Sequence, residues 1–121
     1  MRILNQDLLG FTGTTDYYYS NLFPRIAYTD GIRHLRTDLG LNWLIDKISA
    51  ELPVLDIEPN SICLRRLDSD KDTFEVLYKQ GDLVRSTGRF WSDFDYDYLD
   101  LVVGPSVIPQ HDFIICLPSE N

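Results

Sequence analysis

The sequence is poor in the residues that metal sites and nucleophilic enzymes depend on. It contains two histidines, His34 and His111, and two cysteines, Cys63 and Cys116. Zinc takes three or four nitrogen, sulfur or oxygen ligands, so this supply is thin. One mixed site remains to be weighed, His111 and Asp112 joined to carboxylates of residues 93–100, but a loop histidine beside an aspartate is more often merely solvated. No metal is expected. The cysteines lie in the apolar runs "SICLRRL" and "FIICLP" and lack CxxC spacing. They read as small core hydrophobes in a reducing cytoplasm, with a disulfide between paired strands as the rarer alternative.

Missing motifs narrow the chemistry further. There is no P-loop, no GxGxxG and no GxSxG elbow, which removes the usual phosphate cradles and the hydrolase nucleophile turn. A Ser, Thr or Cys nucleophile needs a positioned base, and neither histidine falls in a triad context. No catalytic residue and no cofactor are expected, and the chain reads more as a non-enzyme than as an enzyme. No apolar run approaches the ~20 residues of a membrane helix. Asn5, Gln6 and Asp7 stand where a secretory signal would be apolar. Together these absences point to a cytoplasmic location.

Basic charge is missing from one whole region. Residues 91–121 carry Asp93, Asp95, Asp97, Asp100, Asp112 and Glu120 and no Lys or Arg, within a chain of net charge −8. Such a field repels phosphate, so neither direct nucleic-acid binding nor an anionic membrane surface is expected. A basic protein partner is the ligand it attracts.

What is present has the size of one domain, 121 residues with 44% hydrophobic content. Without repeats or a linker, residues 1–121 read as a single domain. Ile3, Leu4 and Leu8 suit a short helix ending at Gly10. The stretch from Phe11 to Gly31 reads as irregular, with an extended piece near Tyr17–Ser20. Thr29 or Asp30 caps a helix carrying Ile32, Leu35 and Leu39, and Gly40 breaks it. Leu41, Leu44, Ile45, Ile48 and Leu52 then give the strongest helical spacing, stopped by Pro53. After Pro59 the period shifts to two: "SICLRRL", "TFEVLYK", "LVRSTGRFW", "YLDLVV" and "FIICLP" read as strands. Helices first and strands after predict an α+β domain, its N-terminal helices packed on one face of a mostly antiparallel sheet of about four to five strands.

Three stretches invite a site. "DSDKDTFEVLYK" begins like a calcium loop but has Thr73 where Gly is needed and Lys79 where a bidentate Glu is needed, so a hairpin turn is the better reading. "FTGTTD" has the composition of an anion-binding nest or, more commonly, of a capped turn. "SDFDYDYLD" alternates acid and aromatic. On a strand, Asp93, Asp95 and Asp97 point one way and Phe94, Tyr96 and Tyr98 the other, with like-facing acids about 7 Å apart. That separation is too wide for one ion, though it resembles successive phosphates; a half-buried strand with wet acids is the default. A loop would void the alternation, and Asp is a poor strand former. Asp93, Asp95, Asp97, Asp100 and neighbouring Trp91 form the candidate binding surface. The alternative is a small-ligand or hydrolytic pocket built from Thr12, Thr14, Asp30, Trp43 and Asp46.

The ordered motifs "FTGT", "YTDG", "WLID", Asp93-Phe94 and "LPSE" resemble a bacterial and cyanobacterial family of unknown function, also found on mobile elements. The resemblance implies a cytosolic stand-alone protein and supplies no reaction. Asn121 stands where an aromatic is expected. The expected function is that of a small acidic interaction protein presenting carboxylates to a basic protein, as an inhibitor or accessory factor of mobile-element or defence systems. A homo-oligomer covering a sheet edge is a further structural expectation.

Overall fold

Buried residues at every second position of "TFEVLYK" and "YLDLVV" build the middle of the sheet. In the computed structural model, which describes residues 2–13, 16–68, 71–106 and 108–121, seven strands form it: β1 (Tyr18–Ser20), β2 (Phe23–Tyr28), β3 (Ser61–Arg66), β4 (Thr73–Gln80), β5 (Leu83–Trp91), β6 (Tyr98–Pro105) and β7 (Phe113–Cys116). Their order is β1-β2-β7-β6-β3-β4-β5. All neighbours are antiparallel except β2 and β7, which run parallel with Ala27 opposite Ile114.

The expected fold is thereby corrected. The molecule is mostly sheet, seven strands and mixed, with two short helices, α1 (Asp30–Thr37) and α2 (Asn42–Glu51). It is not a set of N-terminal helices on a four- or five-stranded antiparallel sheet. Two strands precede the helices, and the expected first helix is a 3-10 turn at Leu4–Leu8. Strand β2, "FPRIAY", has Pro24 near its start and finds its parallel partner almost ninety residues later. Neither feature leaves a local period in the sequence.

The helices lie on one face. Ile26, Tyr28, Ile62, Leu64, Phe74, Val76, Tyr78, Leu99, Leu101, Val103 and Ile115 all point to it and join Ile32, Leu35, Leu44, Ile45 and Ile48 in one core. The other face carries Ser61, Arg65, Glu75, Lys79, Asp100 and Arg89, interleaved with Leu77, Val102, Ile114 and Cys116. One-sided solvation is normal for antiparallel sheets. Edge strand β5 is bulged: Thr87 and Gly88 together stand opposite Val76, and Gly88 has φ +119°.

One contact explains two of the sequence motifs. The α1 N-cap, Thr29, makes no capping bond to its own helix. Instead the Glu120 carboxylate accepts from the Gly31 amide at 3.0 Å, the Thr29 hydroxyl at 2.6 Å and the Leu117 amide at 3.0 Å. A carboxylate at a helix N-terminus satisfies free amides and the helix dipole. Gly31 leaves the space for it, since a Cβ there would lie 2.6 Å from both Glu120 Oε1 and Leu117 Cδ1. "YTDG" and "LPSE" are thus two halves of one cap.

Candidate functional site

The acidic run is a loop. Residues 92–97 connect β5 to β6 without entering a ladder, so the strand reading with acids and rings on opposite faces is overturned. The physical cause is Arg66. It follows Ile62 and Leu64 on the inward face of β3, and its side chain is only 11% exposed. A guanidinium buried there needs partners for its donors. Its Nε donates to Asp97 Oδ1 at 3.0 Å, one terminal nitrogen to the Lys71 carbonyl at 2.9 Å and Asp72 Oδ1 at 3.0 Å, and the other to the carbonyls of Phe94 and Tyr96 at 2.8 and 3.3 Å. It also lies over the Phe74 ring at 4.6 Å. Carbonyls turned in toward one cation cannot serve a β-ladder.

The N-terminal segment closes the loop from outside. The Arg2 amide donates to Asp97 Oδ2 at 2.7 Å, and its guanidinium donates to the Asp95 carbonyl at 3.1 Å and lies over the Tyr96 ring at 4.4 Å. Tyr96 donates its hydroxyl to Asp7 at 2.6 Å, and that bond raises its pKa. Asp97 is held below the usual aspartate range, first by the Arg2 amide and then by Arg66 against an opposing desolvation cost. Asn5 clasps Asp100 like a short strand, accepting from its amide at 2.6 Å and donating to its carbonyl at 2.8 Å.

These ties divide the candidate acids. Asp97 turns inward and is neutralised. Asp100 sits half-buried on the uncovered sheet face beside Tyr98. Asp112 pairs with Arg25 at 2.7 Å, and Glu120 caps α1. Asp93 and Asp95 are exposed, and their carboxylates have no hydrogen-bond or ion-pair partner among the described residues. Both border a cleft of about 250 Å³ between the loop and the α1–α2 turn. Its walls are Leu4, Leu39, Leu41, Trp43, Phe94 and Tyr96. Gly40, at φ +69°, makes the turn that brings Leu39 and Leu41 to it. Acids and rings therefore share a side, contrary to the alternating pattern. Trp43 is steadied by Phe90, edge-on at 5.5 Å. Trp91, 73% exposed, ends β5 on the uncovered face and does not line this cleft.

The alternative pocket residues do not line one cavity. Trp43 belongs to the acidic cleft. Asp30 lines a separate groove with Phe11, Arg33 and His34. Asp46 is ion-paired to Arg36 at 2.7 Å, joining the two helices. Thr12 is exposed, and Thr14 lies outside the described residues. The calcium-like stretch falls partly on Ser69 and Asp70, also outside them. His34 bonds to Asp38 and His111 to the Pro24 carbonyl. Among the described residues no three His, Cys, Asp or Glu side chains gather as metal ligands. Nor is any described helix long and apolar enough to cross a membrane.

Arg66, Leu39, Leu41 and Tyr96 were absent from the sequence-derived site. For Arg66 a signal existed: in "SICLRRL" it occupies the third position of the inward face, where a charge demands buried acceptors. The model of a family of unknown function, DUF6876, matches residues 2–121, and the chain belongs to that family. No curated protein and no solved structure matches it.

Proposed function

We propose that the protein is a non-enzymatic interaction protein whose Trp43 cleft receives an Arg or Lys side chain from a basic partner protein. One observation carries this reading: the two unpartnered carboxylates, Asp93 and Asp95, stand at the mouth of an aromatic-walled cleft. An aromatic wall favours a cation over its face, and a nearby carboxylate adds a charge-assisted hydrogen bond. The chain's net charge of −8 adds long-range attraction for a basic surface. Fixed loop geometry lowers the ordering cost of binding, which is where the Arg66 clamp contributes. An inhibitor or accessory factor acting on a basic host or defence protein fits this chemistry.

The test is affinity capture from host lysate with the wild-type chain and an Asp93→Asn/Asp95→Asn variant, read by quantitative mass spectrometry. Basic proteins should be retained at low salt, released as salt rises through the range where charges are screened over about 8–10 Å, and absent with the variant. Partners indifferent to both salt and the substitutions would refute the reading.

A further inference from the structure

The uncovered face of the sheet holds a second cavity, of about 630 Å³, which shares no lining residue with the Trp43 cleft. Gly104 at its floor has no explanation within the fold. Glycine inside a strand weakens it and usually marks a bulge, a bend or the close approach of something else. The β6–β7 register runs evenly from Val102–Cys116 to Pro105–Phe113, so there is no bulge. Its φ is not positive, so no backbone strain requires glycine. A Cβ at 104 would meet nothing within 4 Å, whereas at Gly31 it would collide with Glu120 and Leu117. The described chain uses the room at Gly31 and leaves the room at Gly104 empty.

We propose that this cavity binds an uncharged planar heterocycle of nucleobase type, lying flat on Gly104, Ile114 and Cys116. The floor is apolar and the missing side chain lets a ring approach the sheet closely. Tyr17 at the wall is half exposed and offers a stacking surface. Asn60 and Asn121 are exposed at the rim, and their carboxamides have no hydrogen-bond partner among the described residues. A carboxamide matches the paired donor and acceptor on a base edge. Glu120 lines the cavity and no Lys or Arg does, which selects a base or nucleoside over a phosphorylated form. Burial, aided by Glu120, pushes the Cys116 thiol up to about 11, so at neutral pH it is a neutral floor contact rather than a nucleophile.

The experiment is an amide NMR titration of the full chain with adenine, adenosine and AMP. Adenine and adenosine should shift the resonances of Gly104, Ile114 and Cys116, with AMP at least about tenfold weaker given the repulsion from Glu120. Gly104→Leu, whose Cβ would meet nothing within 4 Å and whose branch would occupy the floor, should abolish the shifts, and Trp43→Ala should leave them. Should Gly104→Leu fail to fold, the exposed pair Asn60→Ala/Asn121→Ala decides instead, with an expected affinity loss of about fivefold or more. Absence of shifts from adenine and adenosine, an equal response to AMP, or binding untouched by whichever of these variants folds would overturn the proposal.

Discussion

The two faces of the sheet are made by the same strands and live in different worlds. On β4, Phe74, Val76 and Tyr78 are 0% exposed beneath the helices. Their neighbours Thr73, Glu75, Leu77 and Lys79 are half-buried on the other side. Burial is concentrated on the helix-covered face, so that face holds most of the stability and the opposite face contributes little.

Truncating one residue on each side of β4 separates the two faces. Phe74→Ala should cost about 3–5 kcal/mol by transfer and cavity terms. Leu77→Ala on the uncovered face should cost about 1 kcal/mol or less. Urea denaturation that finds the two equal would abolish the distinction.

Arg66→Ala comes next, at about 3 kcal/mol, because it strands Asp97 Oδ1 and the inward-turned loop carbonyls without the donor that served them. The same variant sharpens the pH dependence. Asp97 has a depressed pKa, so its contribution is present above its unfolded-state value of about 3.8 and is lost as pH falls through the lower folded value. Wild type should therefore lose more stability on acidification through that window than Arg66→Ala, measured by denaturant midpoints across pH. Parallel curves would mean that the clamp does not tune Asp97.

Gly31→Ala should cost about 1–2 kcal/mol by pushing Glu120 out of the α1 cap, read as a lower thermal midpoint. A midpoint unchanged from wild type would show that Glu120 relocates freely. The smallest effect belongs to the Asp93→Asn/Asp95→Asn pair, within about 0.5 kcal/mol of wild type. A larger change would mean that these exposed acids support the fold rather than stand available at its rim.

Much of the sheet was legible in the sequence, and the reasons are local. Strand β4 has clean period-two burial, β3 is a compact apolar run ahead of it and β5 follows across the Gly81–Asp82 turn, so "SICLRRL", "TFEVLYK" and "LVRSTGRFW" fall where they read. Helix α2 likewise follows from its Leu and Ile spacing and Pro53. In the first third the extended piece near Tyr17–Ser20 and the helix after Thr29 were legible, but β2 was not, because it pairs with β7, which closes the sheet from far along the chain. That missing partner is what hid both the strand count and the parallel pair. At the site, the acids Asp93 and Asp95 and the ring of Trp43 were named from sequence, but their convergence was not. It depends on Arg66 pulling the loop out of extended geometry, a long-range effect that residue alternation cannot encode.

The irregularity at Thr87 and Gly88 has its own consequence for behaviour at high concentration. A free strand arriving along the β5 margin would fall into phase with the backbone groups on one side of that point and out of phase beyond it. That mismatch disfavours ribbon growth from the long outer strand.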